Sequence, residues 1–155
     1  MTHRRLLLVE PDGWLRSRLQ RVAATHAEIH ADAAAPSARS RLLSGAYDWL
    51  VTNIRLDAYN GLHLAYLANL TARPMRIVVY GEACDLPLAR EAQTLGAFFE
   101  SRMRIAEALA TYLSTDLPAG DRRTPSCSDR RLLFRGGRRS GDGASWPAID
   151  RLKMN

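Results

Sequence analysis

Residues 48–61, DWLVTNIRLDAYNG, are arranged to deliver one polar side chain: an acidic residue, an apolar run, a polar residue at the run's end, then a turn closing on Asn-Gly. That polar residue is Asn53. A side-chain amide is neither a nucleophile nor a base, so the position can hydrogen-bond but cannot take up a group covalently. A second stretch with chemistry in it is RRLLFRGGRR near the C-terminus, where Arg130, Arg131, Arg135, Arg138 and Arg139 surround Leu132, Leu133 and Phe134. Arginine beside an aromatic suits phosphate contacts and base stacking, and the same mixture suits docking into an acidic protein groove. The rest of the sequence supplies no reaction centre. His3, His26, His30 and His63 share no ligand spacing, and Cys84 and Cys127 form no CxxC pair and read as two free thiols. Glycine-rich phosphate loop, nucleophile elbow and His-Glu zinc motif are all missing from the sequence. The expectation is a protein that binds rather than catalyses, with no metal and no cofactor.

The elements that position Asn53 can be read from composition and periodicity. A chain of 155 residues with 46% hydrophobic content is sufficient for one domain with a proper core. Its net charge of +6 is unevenly divided, with +1 on residues 1–117 and +5 on residues 118–155. The basic part is rich in Gly, Ser, Pro and Arg and lacks sustained periodicity. It reads as a flexible tail, largely disordered on its own, because it offers too little apolar surface to offset chain entropy. Residues 1–117 instead alternate apolar runs with helical patterns, as in a parallel sheet covered by helices. Strands are expected at 5–9, 28–31, 49–52, 76–79 and 98–99. Helices are expected from Trp14 to Ala23, after Pro36, and at 62–70, 87–95 and 105–113. The run Leu6 to Val9 is too short for a signal peptide or a membrane span, which makes the cytoplasm the expected location. Ligands of such open sheets gather outside the carboxyl ends of the strands. The residues due there are Glu10, Pro11 and Asp12, then Asn53, then Tyr80, and finally a position near Arg102.

In that order these positions resemble the receiver domain of two-component response regulators, over roughly residues 4–115. LLLVEPDGWLRSRL is similar to the family's first strand and helix, where the strand ends in an acidic pair. YDWLVTNIRLDAYNGLHLA resembles its third strand and loop, which carry the phosphoacceptor Asp and close on Asn-Gly or Asp-Gly; this is the most specific match. RPMRIVVYG is similar to the fourth strand, which normally ends in Thr or Ser, and LGAFFESR to the segment leading to a Lys. The resemblance implies an α/β fold with a single doubly wound five-stranded parallel sheet in the order 2-1-3-4-5. It also implies a departure at every active position. Asn53 stands for the phosphoacceptor, Pro11 for the second acid, Tyr80 for the small hydroxyl and Arg102 for the Lys. Glu10 is left as the one aligned carboxylate, with Asp12 a residue late. Such a pocket is expected to hold magnesium poorly and to refuse a phosphoryl group.

Simpler readings of the same residues stay open at this level. Asn53 is also a common turn residue, Glu10 and Asp12 also suit the start of a helix, and Tyr80 also reads as a plug for the pocket. The tail also reads as solvated charge. Two functions follow. One is a phosphorylation-independent pseudo-receiver that binds protein partners in a bacterial signalling or regulatory pathway. The resemblance places its partner face on the fourth helix, fifth strand and fifth helix, from about Leu86 to Tyr112. The other is a nucleic-acid-binding regulator that uses the arginine-rich tail, the receiver-like domain serving to form a homodimer or to position the tail.

Overall fold

The structure, a computed structural model, describes residues 4–71, 73–82 and 85–115. Expectations that fall on the tail, including Arg130, Arg131, Leu132, Leu133, Phe134, Arg135, Arg138 and Arg139, and on Cys84 and Cys127, lie outside the described residues. The elements run β1 (Arg5–Val9), α1 (Gly13–Ala23), β2 (Glu28–Asp32), α2 (Ala35–Ser44), β3 (Trp49–Asn53), β4 (Arg55–Leu56), β5 (Tyr59–Asn60), α3 (Gly61–Leu70), β6 (Arg76–Gly81), α4 (Leu86–Thr94), β7 (Phe98–Ser101) and α5 (Ile105–Ser114).

Five of the strands form one parallel sheet in the order β2-β1-β3-β6-β7, which is the expected 2-1-3-4-5 once the two short strands are set aside. Those two, β4 and β5, make a small antiparallel ladder inside the loop after β3, pairing Arg55 with Asn60 and Leu56 with Tyr59. Asp57 turns that ladder in the left-handed region, at φ 52°.

Side chains alternate across a strand, and here helices cover both faces, so the central strands are apolar throughout. Leu7, Val9, Leu50, Ile77 and Val79 pack against Ala38, Leu42, Leu64, Ala65 and Ala92 of α2, α3 and α4. Leu6, Leu8, Trp49, Val51, Val78 and Tyr80 pack against Leu15, Leu19, Ile105, Leu109 and Leu113 of α1 and α5. Registers between strands carry the chain to a common finishing line: Val9 lies beside both Asp32 and Thr52, Asn53 beside Tyr80, and Gly81 beside Ser101. At the other end of the sheet, the Arg4 guanidinium donates to the carbonyls of Leu113 and Thr115, tying the close of α5 to the entry of β1. Among the described residues, no helix is long and apolar enough to cross a membrane.

Candidate functional site

β1 and β3 are neighbours from which the chain departs to opposite sides of the sheet, so their carboxyl ends frame the switch-point crevice. Glu10 follows β1 and Asn53 ends β3, and both are buried, at 1% and 5% exposure. Asn53 Nδ2 donates to Glu10 Oε2 at 3.0 Å, and the Tyr80 hydroxyl donates to the same oxygen at 2.6 Å. The other oxygen, Oε1, accepts the backbone N–H of Asp12 at 2.8 Å. The amide is held at both ends, since Asn53 Oδ1 accepts the backbone N–H of Arg55 at 2.9 Å. A carboxylate taken out of water needs hydrogen-bond donors, and these three supply them. Burial, followed by the neighbouring Glu10 carboxylate, pushes the Tyr80 phenol far above the usual tyrosine range.

The rim is built from charged side chains reaching across loops. Asp12 caps α1, its Oδ1 accepting from the N–H groups of Trp14 at 2.9 Å and Leu15 at 3.3 Å. Its Oδ2 takes Arg102 Nη2 at 2.7 Å, and the Arg102 backbone N–H donates to Gly81 O at 2.7 Å. Arg16 Nη1 donates to the carbonyls of Glu10 and Pro11, at 2.7 and 3.1 Å. Across the cleft Arg55 Nη2 lies 3.1 Å from both oxygens of Asp85, joining the small β4–β5 ladder to the start of α4. The open cleft, about 320 Å³, is lined by Glu10, Pro11, Asp12, Asn53, Arg55, Asp57, Gly81, Glu82 and Arg102.

The fold therefore gathers Glu10, Pro11, Asp12, Asn53 and Arg102 at one cleft. Tyr80 sits differently. Its ring is fully buried in the α1–α5 layer and is not among the lining residues, so it acts as a hydrogen-bond donor from inside the core. Arg16, Arg55 and Asp85 belong to the site as well, and spacing did not single them out. Arg55 lies two residues past Asn53, but its partner is 30 positions away and marked by no motif. Another feature depends on Gly61: a Cβ there would stand 2.1 Å from Asn53 O, so the start of α3 approaches the end of β3 closely enough to require glycine.

Among the described residues no group of three or more His, Cys, Asp and Glu is placed to hold a metal ion. Elsewhere, the stretch from Leu86 to Tyr112 exposes Leu86, Phe98 and Met103 at 65%, 42% and 88%, with the rings of Phe98 and Tyr112 5.4 Å apart.

No family model matches the chain, and no curated protein does. Solved structures do match. The signal receiver domain of an HD domain-containing protein from Pseudomonas fluorescens Pf-5 is 20% identical with a TM-score of 0.65, over 73% of this chain and 85% of that one. The chemotaxis response regulator CheY4 of Vibrio cholerae is 14% identical with a TM-score of 0.64, over 72% and 97%. A streptococcal protein, from a family described as redox sensors evolved from two-component response regulators, is 19% identical with a TM-score of 0.63, over 72% and 49%. At these identities the likeness is one of fold: residues 4–115 have the CheY-like receiver fold, a five-stranded parallel sheet flanked by five helices.

Proposed function

We propose that this chain is a phosphorylation-independent pseudo-receiver, a receiver-fold domain that acts in a signalling or regulatory pathway through contacts with partner proteins. The observation that carries the reading is the pair of protein donors on Glu10 Oε2. Asn53 Nδ2 and the Tyr80 hydroxyl both donate to that oxygen, while the Asp12 N–H takes Oε1, so each oxygen of the one aligned carboxylate already accepts from the protein. At the end of β3 an amide stands where acyl-phosphate formation would need a carboxylate.

Magnesium, which the fold family uses, does not fit the residues present. It demands near-octahedral oxygen ligands and parts from water reluctantly. Here Glu10 spends both oxygens on internal donors, Asn53 Oδ1 accepts from Arg55, and Asp12 divides its oxygens between the α1 cap and Arg102. No step is routed through a metal. What the residues do instead is hold four loops in one arrangement: Asp12–Arg102 joins the loops after β1 and β7, and Arg55–Asp85 joins those after β3 and β6.

A domain held this way presents its surface without a phosphoryl trigger. The exposed apolar side chains Leu86, Phe98 and Met103 make the α4–β7–α5 side the partner face we favour. The streptococcal redox sensors described as having evolved from response regulators support the idea that this fold is put to other uses. The test is incubation of the full chain with acetyl phosphate and magnesium. We expect unchanged intact mass and an unchanged melting curve; a stoichiometric, base-labile phosphoryl adduct would overturn the proposal.

A further inference from the structure

Away from the cleft, the solvent side of α1 has an unusual composition. The helix GWLRSRLQRVA has no carboxylate and exposes Arg18 and Arg21, while its third arginine, Arg16, turns back to the Glu10 and Pro11 carbonyls. The acid just ahead of it, Asp12, is committed to the cap and to Arg102. On the neighbouring α5, IAEALATYLS, there is one carboxylate, Glu107. At the N-terminal end of this basic surface stands Trp14, 68% exposed, with the Arg18 guanidinium 5.6 Å from its ring centroid.

An indole left in water with a cation over one face is a platform onto which a nucleic-acid base can stack. Arg18 and Arg21, three apart, lie on the same side of the helix as Trp14 and one and two turns further along it, where they can reach phosphates adjoining that base. A protein hot spot built on a tryptophan needs a surrounding ring of packed contacts that excludes water. The exposed neighbours of Trp14 on α1 are Gly13, Ser17, Arg18 and Arg21, which provide charge and little apolar area. We infer that α1 is a contact surface for single-stranded nucleic acid, with Trp14 stacking on a base and Arg18 and Arg21 pairing with phosphates. The inference does not depend on the state of the cleft.

The experiment uses the full chain and fluorescein-labelled 20-mers of oligo-dT and oligo-U, with binding followed by anisotropy from about 50 to 300 mM salt. Trp14→Ala, whose side chain is exposed, should melt like the parent and bind about 5- to 150-fold more weakly, the range for loss of one stacked base. Arg18→Ala with Arg21→Ala should weaken binding and make the log–log salt slope shallower by about 1.4, or ~0.7 for each single-strand phosphate contact. Arg90→Ala, on α4, should change neither. Binding of either oligomer that depends on Trp14 supports the inference, and the tighter of the two shows which backbone the surface accepts more readily. A Trp14→Ala variant that binds like the parent, or a parent that binds neither oligomer at the lowest salt, would overturn the inference. So would a poly-glutamate peptide that binds with the same dependence on Trp14, since that would make the surface a site for acidic proteins.

Discussion

Replacing Tyr80 with Phe removes one oxygen and leaves the shape of the core unchanged, which makes it a clean probe of the buried network. The lost bond is a 2.6 Å contact between two groups at 0% and 1% exposure. Hydrogen bonds to charged groups are worth about 1.5–3 kcal/mol. Glu10 Oε2 keeps the Asn53 donor, so the cost should lie at the low end, about 1.5 kcal/mol. For a domain of this size that is a fall in Tm of about 6 °C. The variant should also change the alkaline response. The Tyr80 pKa is raised in the fold, so the folded state holds its proton after the unfolded chain has begun to release it near pH 10. A raised pKa gives stability that is fully present below the unfolded value and is lost as pH climbs above it. The loss is about 1.4 kcal/mol per pH unit for one proton. Urea unfolding followed by the emission of buried Trp49, repeated from pH 8 to 11.5, should show this slope in the parent. In Tyr80→Phe the slope should be shallower by that one-proton increment, the weaker contribution of Tyr112, also raised by burial, remaining. Equal stability at pH 8 together with an equal alkaline slope would refute the Tyr80–Glu10 bond and the satisfied pocket built on it.

Other substitutions test other parts of the site. Asn53→Asp replaces a donor 3.0 Å from Glu10 with a second carboxylate, so at neutral pH it should destabilise by about 2–4 kcal/mol in chemical denaturation. Adding Pro11→Asp should give measurable magnesium binding by calorimetry; a double variant that binds no better than the parent would show that the pocket is misassigned. Asp12→Ala should cost about 1 kcal/mol, because it removes a helix cap, whereas Arg102→Ala, losing a half-exposed ion pair, should cost less and lose its effect in 1 M salt. Gly61→Ala should be the most damaging change, more than about 3 kcal/mol or failure to fold by circular dichroism. Backbone would have to move to clear the 2.1 Å approach to Asn53 O.

Much of the fold was legible because a parallel sheet covered on both faces writes its strands as continuous apolar runs. LLLV, WLVT and RIVV each fell within a strand, at 5–9, 49–53 and 76–81. Glu10 and Asn53 were legible for a related reason, since each stands where such a run ends. The orientation of Tyr80 was not, because β6 runs on through it to Gly81 rather than stopping at residue 79, and within a strand alternation turns this side chain to the core instead of the cleft. The β4–β5 ladder was not either: two pairs of residues carry no periodicity, and a single Asp, although tolerant of the left-handed conformation that Asp57 adopts, does not by itself mark a turn. The Arg55–Asp85 and Arg102–Asp12 pairs join positions far apart in the chain, and any of many arginines could have matched those acids.

The grip of Arg4 on the carbonyls of Leu113 and Thr115 has a practical meaning for anything attached to this domain. It brings the point where the chain enters the sheet next to the point where the last helix ends, at the pole opposite the cleft. A short linker could join those points and new termini could be opened in an exposed loop, so the domain is a natural candidate for circular permutation. A label or fusion partner grafted at either point would likewise start from the far pole and leave the crevice mouth unobstructed at its base.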